Sequence, residues 1–269
     1  MKKVKNFIIN LWSSLRLPEM LILPGNLAFY LILSLAPLTS LFGIIASVFS
    51  LSTENITNFI GNIVPSGVMD LLLPLFDGSA LSTGNFIFVI SMFIIASNGA
   101  DSLINAANIL YGSKDSDYIK RKLKSVFLIF WILILFLSAL LFMAFGSFIL
   151  TKILTFGVVG KFISKYYILI SGIKILIAFV LIFLTIKIVY TLAPDKKIKS
   201  KNVTVGATFA TFAIMIVTSI YSLYVNNFAN YDIVYGSLAN IAILMLLIYI
   251  VSYIIVLGIA INKNYYIDE

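Results

Sequence analysis

Asn98, Asp101, Asn105 and Asn108 follow one another at steps of three, four and three. At about 100° per residue they fall within an arc of roughly 80° on one helix face. Three carboxamides and one carboxylate can bond to each other, to a cation or to a substrate hydroxyl. Two readings stay open. The stripe either ties helices together through interhelical hydrogen bonds or lines a polar cavity. Ser97 and Ser102 flank it. Asp101 is the only acid well inside an apolar segment and calls for a proton or a partner. Lys174 and Lys187 are the available bases within an apolar segment, Lys174 the deeper and closer to the outer side. Lys187 suits Asp101 better by depth, with snorkelling to the interface as its alternative. A carboxamide or a tyrosine hydroxyl is the other expected partner. A structural pair and a proton or substrate relay both remain open for Asp101.

A second polar face opens the first apolar segment. Asn26, Tyr30 and Ser34 stand four apart, and Pro37 then frees a backbone carbonyl along the same helix. Other chemistry is excluded by composition. The chain has no histidine and no cysteine, so imidazole or thiolate metal sites, disulfides and thiol nucleophiles are impossible. It has no phosphate-binding P-loop, dinucleotide glycine fingerprint or nucleophile elbow, and no carboxylate cluster able to hold two metals. No catalytic, metal or cofactor site is expected, and no enzyme.

The elements that must position these residues are membrane helices. Of 269 residues, 61% are hydrophobic and 11% charged, against about 45–50% and about 25% in soluble domains. Mean hydropathy is +1.08. Six stretches are long enough to span a bilayer, roughly 24–50, 85–110, 125–150, 167–192, 203–226 and 237–261. Gly146, Gly172, Gly206 and Gly258 permit close helix approach. Residues 1–20 read as a basic amphipathic arm rather than a signal peptide, because Asn10, Ser13, Ser14 and Arg16 interrupt the apolar run. Between spans one and two, 51–84 reads as short interfacial helices broken by Pro65, Gly67 and Pro74. The expected fold is therefore an all-α polytopic membrane domain over 21–262, with a tail at 263–269.

Charge sets the expected orientation. The arm carries four Lys/Arg, loop 111–124 five, loop 193–202 four, and the tail one. The alternate loops carry three, all in 151–166, which makes the asymmetry 14 against 3. By the positive-inside rule both termini lie in the cytoplasm. That rule accounts for the net charge of +8 without nucleic acid, for which no aromatic stacking platform is present. At the outer end, Asn226, Asn227, Asn230, Tyr231, Asp232 and Tyr235 suit a water interface, and Ser237 after Gly236 suits a helix N-cap. Gly and Pro interruptions do not recur between the halves, which speaks against an inverted repeat.

Four stretches together resemble one family. Leu27–Tyr30 with Ser34–Leu38 is similar to its first-helix signature, and Ser97–Tyr111 to its segment before a basic loop. Tyr190–Pro194 with Val205–Ala207 resembles its Tyr-x-x-x-Pro and Pro-Gly-Ala pair, Val205 standing for proline. Tyr231 with Tyr235–Gly236–Ser237, then Leu257–Gly258, resembles its closing motifs, with Ala260 where the family has an acid and Asn262 kept. The order and spacing are those of the YihY/virulence factor BrkB family of bacterial inner-membrane proteins. The resemblance implies structural roles for Pro37, Gly206, Tyr235, Gly236 and Gly258. Members of that family carry a ribonuclease BN label or are associated with serum resistance and envelope lipid transport. Metal-dependent RNA hydrolysis needs converging carboxylates or His/Asp clusters, so the nuclease label does not suit this chain. The expected function is movement of an amphipathic, lipid-like molecule, with Asn26, Tyr30, Ser34, Asn98, Asp101, Asn105, Asn108 and Lys187 as polar lining. Membrane lipids are the expected partners, and a homo-oligomer stays open. The rival expectation is a non-transporting envelope scaffold.

Overall fold

The computed structural model describes residues 2–48, 86–113, 117–135, 167–228 and 237–267. Every element among them is helical. The arm forms α1 (Lys2–Leu15), followed by a 3-10 turn at Pro18–Leu21. The long helices are α2 (Leu23–Val48), α3 (Phe86–Tyr111), α4 (118–135), α5 (Tyr167–Leu192), α6 (Thr204–Phe228) and α7 (Ser237–Ile267). Five described segments are long and apolar enough to cross a membrane: Pro18–Leu41, Val89–Tyr111, Ile175–Leu192, Thr204–Tyr224 and Asn240–Asn264. The predicted third span, 125–150, is helical as far as 135. Its remainder, the interfacial segment 51–84, Gly146, Tyr231, Tyr235 and Gly236 lie outside the described residues.

α2 lies along α3, α7 along α6 and α2, and α5 along α6. In lipid there is no hydrophobic drive between helices, so close backbone approach must supply the packing. Small residues supply it here: Ala96, Ala100, Ala106, Ala107, Ala207, Ala210 and Ala260 are buried in the core. Among the described residues the tightest seam is where α6 crosses α7. A Cβ on Gly206 would run into the carbonyl oxygen of Gly258 and would lie 2.6 Å from the Asn262 side chain. A Cβ on Gly258 would strike the Tyr190 hydroxyl. Only glycine fits at either point. The gap is sealed by hydrogen bonds. The Gly206 N–H, one of the orphan donors of the first turn of α6, donates to Asn262 Oδ1 at 2.7 Å. Tyr190 donates its hydroxyl to the Ile255 carbonyl at 2.7 Å.

A second seam joins α2 to α3, where Gly99 packs against Leu31 and Ser34. The arm is not free on the surface. Phe7 meets Phe209 of α6 with ring centroids 6.2 Å apart. Asn264 of α7 donates to Ser14 Oγ at 3.0 Å and to the Asn10 carbonyl at 3.3 Å. The first and last described helices are thus clasped together. The opposite side of α1 keeps Ile8, Ile9 and Trp12 more than half exposed, with the Arg16 guanidinium 4.8 Å from the centroid of the Trp12 ring.

Candidate functional site

The stripe on α3 needs a helix that ends on time. Gly112 supplies the stop by adopting φ +61°, which a Cβ would penalise. Its N–H bonds the Ile109 carbonyl at 3.1 Å, and the Ser113 N–H bonds the Asn108 carbonyl at 2.9 Å. This paired pattern is a Schellman cap. The chain then turns back, and α4 begins directly opposite the stripe with Arg121, Lys122 and Lys124 in its first two turns.

Three of the four stripe residues are taken up by these contacts. Arg121 Nε donates to Asp101 Oδ1 at 2.9 Å. Lys122 Nζ donates to Asn98 Oδ1 at 2.6 Å. Burial holds the Lys122 ammonium below the usual lysine value, and the nearby Asp101 carboxylate opposes that shift. Asn108, fully buried, grips the loop after α5 in two directions. Its Nδ2 donates to Asp195 Oδ2 at 2.7 Å, and its Oδ1 accepts from the Asp195 N–H at 2.8 Å. Asn105 is half-buried on the same face, and the Ser102 hydroxyl is buried without a hydrogen-bond partner.

Lys124 completes the arrangement. Its ammonium donates to the carbonyls of Ala193 at 2.8 Å and Pro194 at 2.9 Å and to Asp195 Oδ1 at 2.7 Å. Three donors meet three acceptors just past the end of α5, where unpaired carbonyls attract a cation. The two ion pairs are partly open to solvent, at 20% and 22% exposure for Arg121 and Asp101 and 26% and 18% for Lys124 and Asp195. They form a latch across α3, α4 and the α5–α6 loop.

The partner of Asp101 corrects the expectation built on depth. It is Arg121, not Lys187, a carboxamide or a tyrosine. The first turns of α4 lie against α3, so a residue 20 positions away meets the stripe, and Lys187 on α5 does not. Asn26 and Tyr30 are half-buried on α2, and Pro37 sits inside that helix. Ser34 is buried and donates back to the Tyr30 carbonyl at 2.7 Å. The structure thus divides the predicted polar lining. Asn98, Asp101 and Asn108 join the latch, Ser34 belongs to the α2–α3 seam, and Lys187 lies elsewhere. Sequence reasoning missed Arg121, Lys122 and Lys124 as partners because their charges were already accounted for by topology. Asp195 was also missed. Its signal was an acid directly after Ala193–Pro194 at a helix end.

Lys187 faces a groove between α4 and α5, open on one side, with a volume of about 550 Å³. Phe127 and Trp131 form one wall, at ring centroids 6.2 Å and 78° apart. Leu184 and Ile188 form the other, and Ser200 stands at the mouth. Phe127, Trp131 and Leu184 are exposed, as a surface meeting lipid would be. Lys187 Nζ lies 5.5 Å from the centroid of the Phe183 ring, one turn farther from the basic loops. Instead of snorkelling outward, the ammonium points back along the helix. Among the described residues it has no carboxylate partner.

The virulence factor BrkB family matches residues 12–268 of this chain. The chain is 30% identical over 266 residues to the ribonuclease-like protein YfkH of Bacillus subtilis (strain 168), covering 96% of this chain and 94% of that protein. It is 28% identical over 261 residues to a UPF0761 membrane protein of Aeromonas salmonicida (strain A449), covering 92% and 84%. No solved structure matches. The apolar helices and the membrane proteins among its relatives agree on a multi-pass membrane protein. With a match running nearly end to end, the chain belongs to the virulence factor BrkB family.

Proposed function

We propose that this protein moves an amphipathic, lipid-like envelope molecule across or along the bacterial inner membrane, with both termini in the cytoplasm. The observation that carries the reading is the groove between α4 and α5. It pairs aromatic and aliphatic walls with one cation at membrane depth, which are the two chemistries of an amphiphile. Catalysis has no part in this reading. The chain has no histidine or cysteine, and among the described residues no group of three acids could hold a metal.

A second reading, a scaffold that moves nothing, is favoured by the latch. Three of the four stripe residues are consumed in interhelical bonds, as expected of structural glue. Reconstitution decides between the two. Vesicles carrying the protein and a fluorescent phospholipid are expected to exchange the probe between leaflets faster than protein-free vesicles. Equal rates, with other envelope amphiphiles also unmoved, would leave the scaffold.

A further inference from the structure

We propose that the α4–α5 groove is a binding site for an anionic phospholipid, with Lys187 holding the headgroup phosphate. This deepens the transport reading above, but binding itself can be tested without transport. The argument begins with the cost of Lys187. An ammonium at membrane depth requires an anion, a water path or snorkelling. Here it lies five residues before the end of α5 at Leu192, about 8 Å along the axis. That is the depth of a headgroup and its glycerol. Its described ring contact is Phe183 at 5.5 Å, a weak cation–π geometry that does not neutralise it.

The rest of the groove is built for the remainder of such a lipid. Trp131 presents an amphipathic ring of the kind that gathers at the lipid–water boundary, and Phe127 beside it adds an apolar face. Leu184 and Ile188 give acyl chains an apolar wall. At the mouth, Ser200 stands between Lys199 and Lys201, both exposed, and those charges draw anionic headgroups toward the opening. A zwitterionic headgroup brings its own cation to a mouth already lined with lysines. A free phosphate would gain nothing from the apolar walls. Charge complementarity and the walls together therefore select an acidic membrane lipid.

Trp131 makes the groove its own reporter, because Trp12 is the only other tryptophan. In a Trp12→Phe background the protein is placed in bilayers containing phosphatidylglycerol or phosphatidylcholine, each brominated on its acyl chains. Phosphatidylglycerol is expected to quench Trp131 at a mole fraction about fivefold lower, the ratio that one lysine–headgroup interaction supplies. Lys187→Gln should remove most of the preference, leaving only the pull of Lys199 and Lys201, and Lys187→Arg should keep it. Melting followed by circular dichroism separates loss of preference from loss of fold. Equal quenching by both lipids in the Lys187 protein overturns the proposal, whatever the variants do. So does a preference that Lys187→Gln leaves undiminished, or relief of quenching by inorganic phosphate. Lipid bound with Lys187 dependence but never moved would overturn only the transport reading. Movement without this selectivity would overturn only the groove assignment.

Discussion

At the scale of single residues, the Asp101–Arg121 pair is neither fully buried nor free in solvent. An exposed pair contributes at most about 1 kcal/mol, while breaking a buried one costs about 3–5 kcal/mol. With about a fifth of each side chain exposed, Arg121 can turn toward water when its partner is lost. Asp101→Ala is therefore expected to destabilise the detergent-solubilised protein by about 1–2 kcal/mol. Asp101→Asn, which keeps size and one acceptor, should cost less. A double-mutant cycle with Arg121→Gln should return about 1 kcal/mol of coupling. Strictly additive melting shifts would mean that the two side chains do not act on each other. The stripe was legible from spacing alone, since helical periodicity predicts which residues share a face. Its partners were not. Nothing in the period of α3 announces that a loop will bring Arg121 and Lys122 across it.

At the scale of elements, two devices hold helix to helix, and each predicts a different failure. At Gly206, on the crossing of α6 and α7, an added methyl has nowhere to go, because it meets the Gly258 carbonyl oxygen as well as the Asn262 side chain, and the backbone cannot swing aside. Gly206→Ala is expected to lower stability by about 3 kcal/mol or more, the upper range for overpacking, seen as a large fall in melting temperature or loss of folded yield. A wild-type melting curve would mean that α6 and α7 can part at no cost. Lys124 fails locally instead. Lys124→Met removes the group that satisfies Ala193, Pro194 and Asp195 while keeping most of the apolar stem. Trypsin should then cut faster within the lysine-rich segment 196–201, with the transmembrane helices intact. Unchanged cleavage would show that Asn108 alone suffices to hold the loop. Small residues at the seams were readable in advance from Gly206 and Gly258, because lipid offers few other ways to pack, but Gly172 marks no seam, since a Cβ there would meet nothing within 4 Å among the described residues. The joint role of Tyr190 and Asn262 was visible only as fragments of separate motifs. Their convergence depends on a fold that brings residues 56 and 65 positions apart into contact.

At the scale of the whole molecule, the basic segments gather at one end. The latch joins the first turns of α4 to the loop after α5, and Asn264 ties the end of α7 to the arm. From the charge asymmetry we propose that this end faces the cytoplasm. The chain has no native thiol, so single cysteines report cleanly. A cysteine at Lys197 should react with an impermeant maleimide only after the membrane is opened, and one at Ser79 should react in intact cells. The reverse pattern would invert the topology. The clasp between the two ends of the chain also sets a schedule for biogenesis. Asn264 stands 254 residues after Asn10, and at a synthesis rate of about 5–20 residues per second the interval is roughly 10–50 s. For that time α1 has no α7 to clasp it, and Phe7, Leu11 and Leu15 lack part of the core they pack against. A soluble nascent segment with such a face would invite aggregation or chaperones. The arm's lysines and apolar face instead give it a berth on the bilayer surface while the rest of the chain is made. Weakening that berth should hurt insertion yield more than it hurts the stability of protein already folded.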